Sequence, residues 1–162
     1  MIIDVSLLIK NETEEIISSE EVDGFVIYDD VKVLTPIKLR TSASLKHGLL
    51  KLDLDMAYNT QNVCSRCLKE YMTSQELKFK EEYTIEKLEE LYPQAIIDSV
   101  QIAKELIILK APVKNLCKED CLGLCIVCGI DKNEHICDCD ETKSNPYFDK
   151  LKILLSKQDK EV

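Results

Sequence analysis

The stretch CLGLCIVCGIDKNEHICDC, residues 121–139, holds five cysteines, and Cys117 lies just before it. The other two of the eight, Cys64 and Cys67, sit far upstream in Cys-Ser-Arg-Cys. Cys125-Ile-Val-Cys128-Gly129 has the form of a zinc knuckle. Two intervening residues let both sulfurs face one ion about 2.3 Å away, and the glycine permits the turn. Cys137 and Cys139 can supply the other two thiolates, so the spacing predicts a tetrahedral zinc site at Cys125, Cys128, Cys137 and Cys139. Cys64, Cys67, Cys117 and Cys121 remain. They also number four and define a second candidate site, which requires the intervening strand and helix to bring two distant pairs together. A bridging thiolate in a two-metal cluster and an independent Cys64/Cys67 dithiol are the alternatives. One or two zinc ions are therefore expected. His135 lies between the motifs and could replace a cysteine, but where thiols are abundant it reads as a surface residue.

Rival chemistries fit less well. The spacing matches neither ferredoxin pattern, although all-thiolate ligation keeps an iron–sulfur cluster open. Thioredoxin-type exchange places its Cys-x-x-Cys near a βαβ unit, whereas Cys64 follows a run of strands. A catalytic zinc keeps an open position, and all-cysteine sites are closed. There is no phosphate-binding glycine loop, no paired histidine and no Gly-x-Ser-x-Gly elbow. With four glycines and two histidines in the chain, no ordinary enzyme site or small-molecule substrate is implied. The reading is a non-enzymatic protein. An iron–sulfur or thiol-based redox protein is the alternative, and a zinc-bearing transcriptional partner is a third possibility.

What must position these thiols is a chain of 162 residues, enough for one domain with a small appendage. Its hydrophobic fraction of 45% supports a real core, built from Ile, Leu and Val because Trp is absent. A net charge of −9 argues against a broad basic nucleic-acid face. MIIDVSLLIK lacks the layout of a secretory signal, and no window reaches the roughly 18 to 20 apolar residues of a membrane span. A cytoplasmic location follows as the expectation, and in a reducing cytosol clustered thiols point to metal rather than disulfides. Strands are predicted in MIIDVSLLI, GFVIYDD, KVLTPIKL and LLKLDLDMAY. The last alternates Leu50, Leu52, Leu54 and Met56 against Lys51, Asp53 and Asp55. LKFKEEYTI continues the pattern with Leu77, Phe79 and Tyr83, interrupted by Glu81.

Residues 86–97 read as an acidic connector. A helix is predicted near 98–110, capped by Asp98 with Gln101 completing a capping box, and with Val100, Ala103, Leu106 and Ile107 as its buried stripe. Ala111-Pro112 stops it. In the tail, Asn145, Pro146 and the spacing of Phe148, Leu151 and Leu155 predict a short terminal helix. The fold class is α+β: an antiparallel β-rich meander or partly closed barrel, a helix, a C-terminal zinc knuckle and the terminal helix. Residues 1–112 form the body, and 113–162 carry the knuckle and tail, packed on it.

The segments VCSRCLKEY, IDSVQIAKELIILKAPVKNLC, CKEDCLGLCIVCGIDKNEHICDC and NPYFDKLKILL occur in an order that resembles the YceD family, over roughly residues 20–157. The resemblance implies a role in the synthesis, processing or stability of 23S rRNA, metal binding and a link to nucleic acid. Cys64, Arg66 and Cys67 match the family's Cys-x-Arg-Cys element. Glu105 and Leu106 match the centre of its helix, and Pro112 the proline that closes it. Lys104-Glu105-Leu106-Ile107 departs conservatively where leucines more often follow the acid. Cys117, Cys121, Cys125, Cys128, Cys137 and Cys139 match a longer, cysteine-rich version of the C-terminal half; some members lack most of these cysteines, so the metal reads as a stabiliser of this branch. Arg66, Lys143, Lys150, Lys152 and Lys157 are candidate partner-binding residues. The lysines could meet the phosphates of a ribosomal RNA precursor. The overall charge favours instead a basic ribosomal or processing protein met by the acidic face.

Overall fold

The computed structural model describes residues 2–10 and 13–140. The expected terminal helix and Lys143, Lys150, Lys152 and Lys157 lie outside the described residues. The chain divides into two compact units, one made of Met1–Cys64 and Lys69–Cys117, the other of Ser65–Leu68 and Lys118–Val162.

The first unit is organised by three long antiparallel strands. In strand β5 (Leu49–Val63), Leu50, Leu52, Leu54, Met56 and Tyr58 are buried, and the residues between them face outward or are half-buried. That is the period of two expected of a sheet covered on one face. β5 pairs with β4 (Val31–Lys46) on one side and β6 (Glu70–Thr84) on the other. His47 and Gly48, with φ of 53° and 76°, close the β4–β5 hairpin, because a tight two-residue turn needs left-handed backbone at both positions. β2 (Glu15–Val22) and the short β3 (Val26–Tyr28) add to β4. The order β2-β4-β5-β6 is open, and no pairing among the described residues closes it into a barrel. Glu81 on β6 is exposed while Leu77 and Tyr83 on the same strand are buried.

A second, two-stranded sheet pairs β1 (Ile2–Asp4) with β7 (Ile96–Asp98). MIIDVSLLI is thus a strand followed by one helical turn, α1 (Ser6–Ile9), with the Ser6 N–H donating to Asp4 Oδ1 at 2.9 Å. The acidic connector also differs from expectation. It contains helix α2 (Ile85–Leu91), capped by the Thr84 side chain, and β7. α3 (Ser99–Lys110) follows. Its N-cap Asp98 accepts from the N–H groups of Val100 and Gln101, and the Gln101 amide donates to Glu105 Oε1 at 2.8 Å. The buried positions of α3 are Ser99, Ala103 and Ile107, four residues apart, with Val100 and Leu106 half-buried at the margin. They pack with Ile3, Val5, Leu8, Ile97 and the inward residues of β4 and β5 in one apolar core.

Candidate metal centre

In the second unit the chain turns tightly at Cys125. The Cys125 N–H donates to Ile130 O and the Gly129 N–H returns to Cys125 O, each at 2.8 Å. Gly129 has φ of 75°, which a side chain would strain. Leu124 bridges to Asp131, and the Lys132 N–H donates to Gly123 O at 2.9 Å, so residues 124–132 form a short hairpin. The thiols of Cys125, Cys128, Cys137 and Cys139 lie within 4.8 Å of one another. Four sulfurs placed tetrahedrally at about 2.3 Å from an ion are roughly 3.8 Å apart, so this cluster fits a closed four-thiolate shell.

Its electrostatics suit a cation as well. The Cys125 thiol is drawn down to about 7, first by the Cys128 backbone N–H and then by that of Val127, which stands 3.4 Å from Cys125 Sγ. The Cys139 thiol is pushed up to about 12, chiefly because it donates to the Cys128 side chain, with burial adding to the effect. For Cys137 the Cys139 N–H pulls the pKa down, but the hydrogen bond to Cys125, burial and neighbouring thiols outweigh it and raise it. Without a cation, four sulfurs this close keep protons between them. A divalent ion could take the place of those protons.

Cys64, Cys67, Cys117 and Cys121 form the other group, with sulfurs again within 4.8 Å of one another. Cys64 follows β5 and is fully buried, its N–H donating to Lys69 O at 3.0 Å. Cys67 and Cys121 are buried and Cys117 half-buried. This set also fits a four-thiolate shell. Each group could hold a metal ion. His135 is exposed and belongs to neither.

Arg66, which the sequence groups with four lysines, has both its side chain and its carbonyl engaged within the second unit. The residue is exposed, yet its Nη1 donates to Cys121 O at 2.7 Å and its carbonyl accepts from the Leu124 N–H at 3.1 Å. Gly123 lies against it: a Cβ there would come within 3.0 Å of Arg66 O. The sequence reading missed Asn133. Its Nδ2 donates to Cys121 Sγ at 3.5 Å, and its Oδ1 accepts from the Leu122 N–H at 2.9 Å. The signal available was Asp131-Lys132-Asn133, an Asx-turn pattern between two cysteine pairs.

The molecule is thus an α+β protein whose antiparallel sheets accompany two clusters of four thiols able to hold metal. No helix among the described residues is long and apolar enough to cross a membrane. Residues 52–155 match the family described as large ribosomal RNA subunit accumulation protein YceD, and the chain belongs to that family. No curated protein and no solved structure matches the chain. The family's description places the chain in the accumulation of large-subunit ribosomal RNA, and it names no reaction.

Proposed function

We propose that this protein is a non-enzymatic cytoplasmic factor supporting the synthesis, processing or accumulation of 23S rRNA and the assembly of the large ribosomal subunit. Family membership over residues 52–155 is the observation that carries this reading. In it, residues 1–112 serve as the body and 113–162 carry the zinc knuckle and the tail. Zinc is the metal, held by Cys125, Cys128, Cys137 and Cys139 and, as a second ion, by Cys64, Cys67, Cys117 and Cys121. A closed all-thiolate zinc supplies folding energy rather than a reactive site, because no coordination position is left for a substrate.

The direct partner is a basic ribosomal or processing protein, or the rRNA precursor itself. The net charge of −9 supports a basic protein. The aliphatic surface of the second unit, where Leu122, Ile126, Val127 and Ile136 are exposed, Ile136 to 97%, suits a protein partner of either charge. The lysines 143, 150, 152 and 157 are the residues offered to phosphate, and Arg66 is a further candidate for partner binding. The test is to remove the gene from its host and compare 23S with 16S rRNA. A selective fall in 23S rRNA and in mature large subunits is expected, and unchanged rRNA ratios would overturn the reading. Metal analysis of protein purified without oxygen should give about two zinc ions per chain. Iron with sulfide would point to the redox alternative.

A further inference from the structure

Three hydrogen bonds converge on the side chain of Asn133. Its Oδ1 accepts from the Leu122 N–H at 2.9 Å. Its Nδ2 donates to Asp131 Oδ1 at 2.6 Å and to Cys121 Sγ at 3.5 Å. The Asp131 carboxylate also accepts from the Asn133 backbone N–H at 2.9 Å. This fixes which way the amide faces, since a flipped amide would set its oxygen against a carboxylate and a thiolate sulfur. Asn133 therefore presents an N–H donor to one ligand sulfur and holds the backbone of the next residue.

Asn133 is not near Cys121 in sequence. It lies in the loop between Cys128 and Cys137, which a metal in the knuckle cluster would close at both ends. Within the loop itself, its fastenings include the Leu124–Asp131 bridge, the Lys132 N–H on Gly123 O, the turn bonds at Cys125, and the Glu134 and His135 N–H groups on Asp131 O. Ordering this loop places Asp131, and Asp131 places Asn133. Donors to ligand sulfurs are outer-shell groups that orient the ligand and favour the thiolate form.

We propose that Asn133 is a positioning residue that couples the two cysteine clusters, so that metal at Cys125, Cys128, Cys137 and Cys139 tightens metal binding at the cluster containing Cys121. The inference rests on the reading that both clusters take metal. Coupling of this kind is reciprocal, so the effect runs in both directions.

The experiment titrates Zn²⁺ into the full reduced chain against a competing chromophoric chelator, with Cys→Ser variants assigning each step. Asn133→Leu removes the donor at similar size, and Asn133→Asp keeps the acceptor for the Leu122 N–H. Each is expected to weaken the Cys64/Cys67/Cys117/Cys121 cluster by about 10- to 100-fold, as outer-shell losses do. Disabling the knuckle with Cys128→Ser and Cys139→Ser should weaken that cluster similarly, and adding Asn133→Leu to this background should then change little. Two zinc ions bound with independent, additive effects of the two changes would overturn the coupling alone. A wild-type chain that binds no zinc at one or both clusters would overturn the underlying reading and the coupling with it.

Discussion

Thr41 on β4 is fully buried and its hydroxyl has no hydrogen-bond partner among the described residues, and across the β2–β4 pair the buried Oγ of half-buried Ser18 likewise has none there. A buried hydroxyl left unpaired carries its desolvation cost without return. Valine has the same shape and β-branching. Thr41→Val is therefore expected to stabilise the protein by about 1 kcal/mol, seen as a raised melting temperature; a lowered one would show that the hydroxyl has a partner. At this scale the cysteines were readable and the residues that serve them were not. Counting thiols and their spacings divides them four and four, because metal chemistry asks for four. Arg66 and Asn133 act through partners that are distant or irregularly placed in sequence, Cys121 being 55 residues from the one and 12 from the other. No local pattern announces such a pairing.

Among the elements, α3 depends on its first turn. Asp98 Oδ1 accepts from Val100 N at 3.0 Å and Gln101 N at 3.2 Å, relieving two donors that the helix cannot satisfy itself. Asp98→Ala should cost about 1 kcal/mol, with Asp98→Asn recovering most of it, in chemical denaturation midpoints compared at constant slope. Equal stability of the alanine variant and the parent would mean that the pairing of β7 with β1 alone sets the start of the helix. α3 was legible because its cap, its stripe and Pro112 agree, and β5 because its alternation runs for the length of the strand. α2 was not. It buries a single large residue, Leu88, and its acidic face reads as loop when apolar period is the only guide. MIIDVSLLI failed for a related reason. Nine apolar-rich residues satisfy a strand template, and the bond from Ser6 to Asp4, with those from Leu8 and Ile9 to Val5 O, shows where the strand gives way to a turn.

Across the whole molecule the two units differ in what fills their interiors. The first buries Ile3, Val5, Leu8, Ile37, Leu50, Leu52, Leu54, Leu88, Ile97 and Ile107 almost completely. In the second, the buried hydrophobic side chains among the described residues are Cys67, Cys121 and Cys125, while its aliphatic residues Leu122, Ile126, Val127 and Ile136 face outward. An apolar core sustains the first without help. The second has sulfur where a core would be, and a unit that small does not hold itself together by apolar burial alone. With metal bound as proposed, ligation would supply its folding energy. Stripping metal with a chelator under reducing conditions should therefore raise hydrogen exchange across residues 118–140 by orders of magnitude, and leave the amides of β4 and β5 protected. Protease cleavage should begin in the same interval, where the turn at Cys125–Gly129 loses its anchor. Full protection of 118–140 after complete metal removal would mean that the backbone bonds of the hairpin suffice and that the thiols serve something other than shape. If instead β5 lost protection in step, the ions would be sustaining the sheet as well as the knuckle.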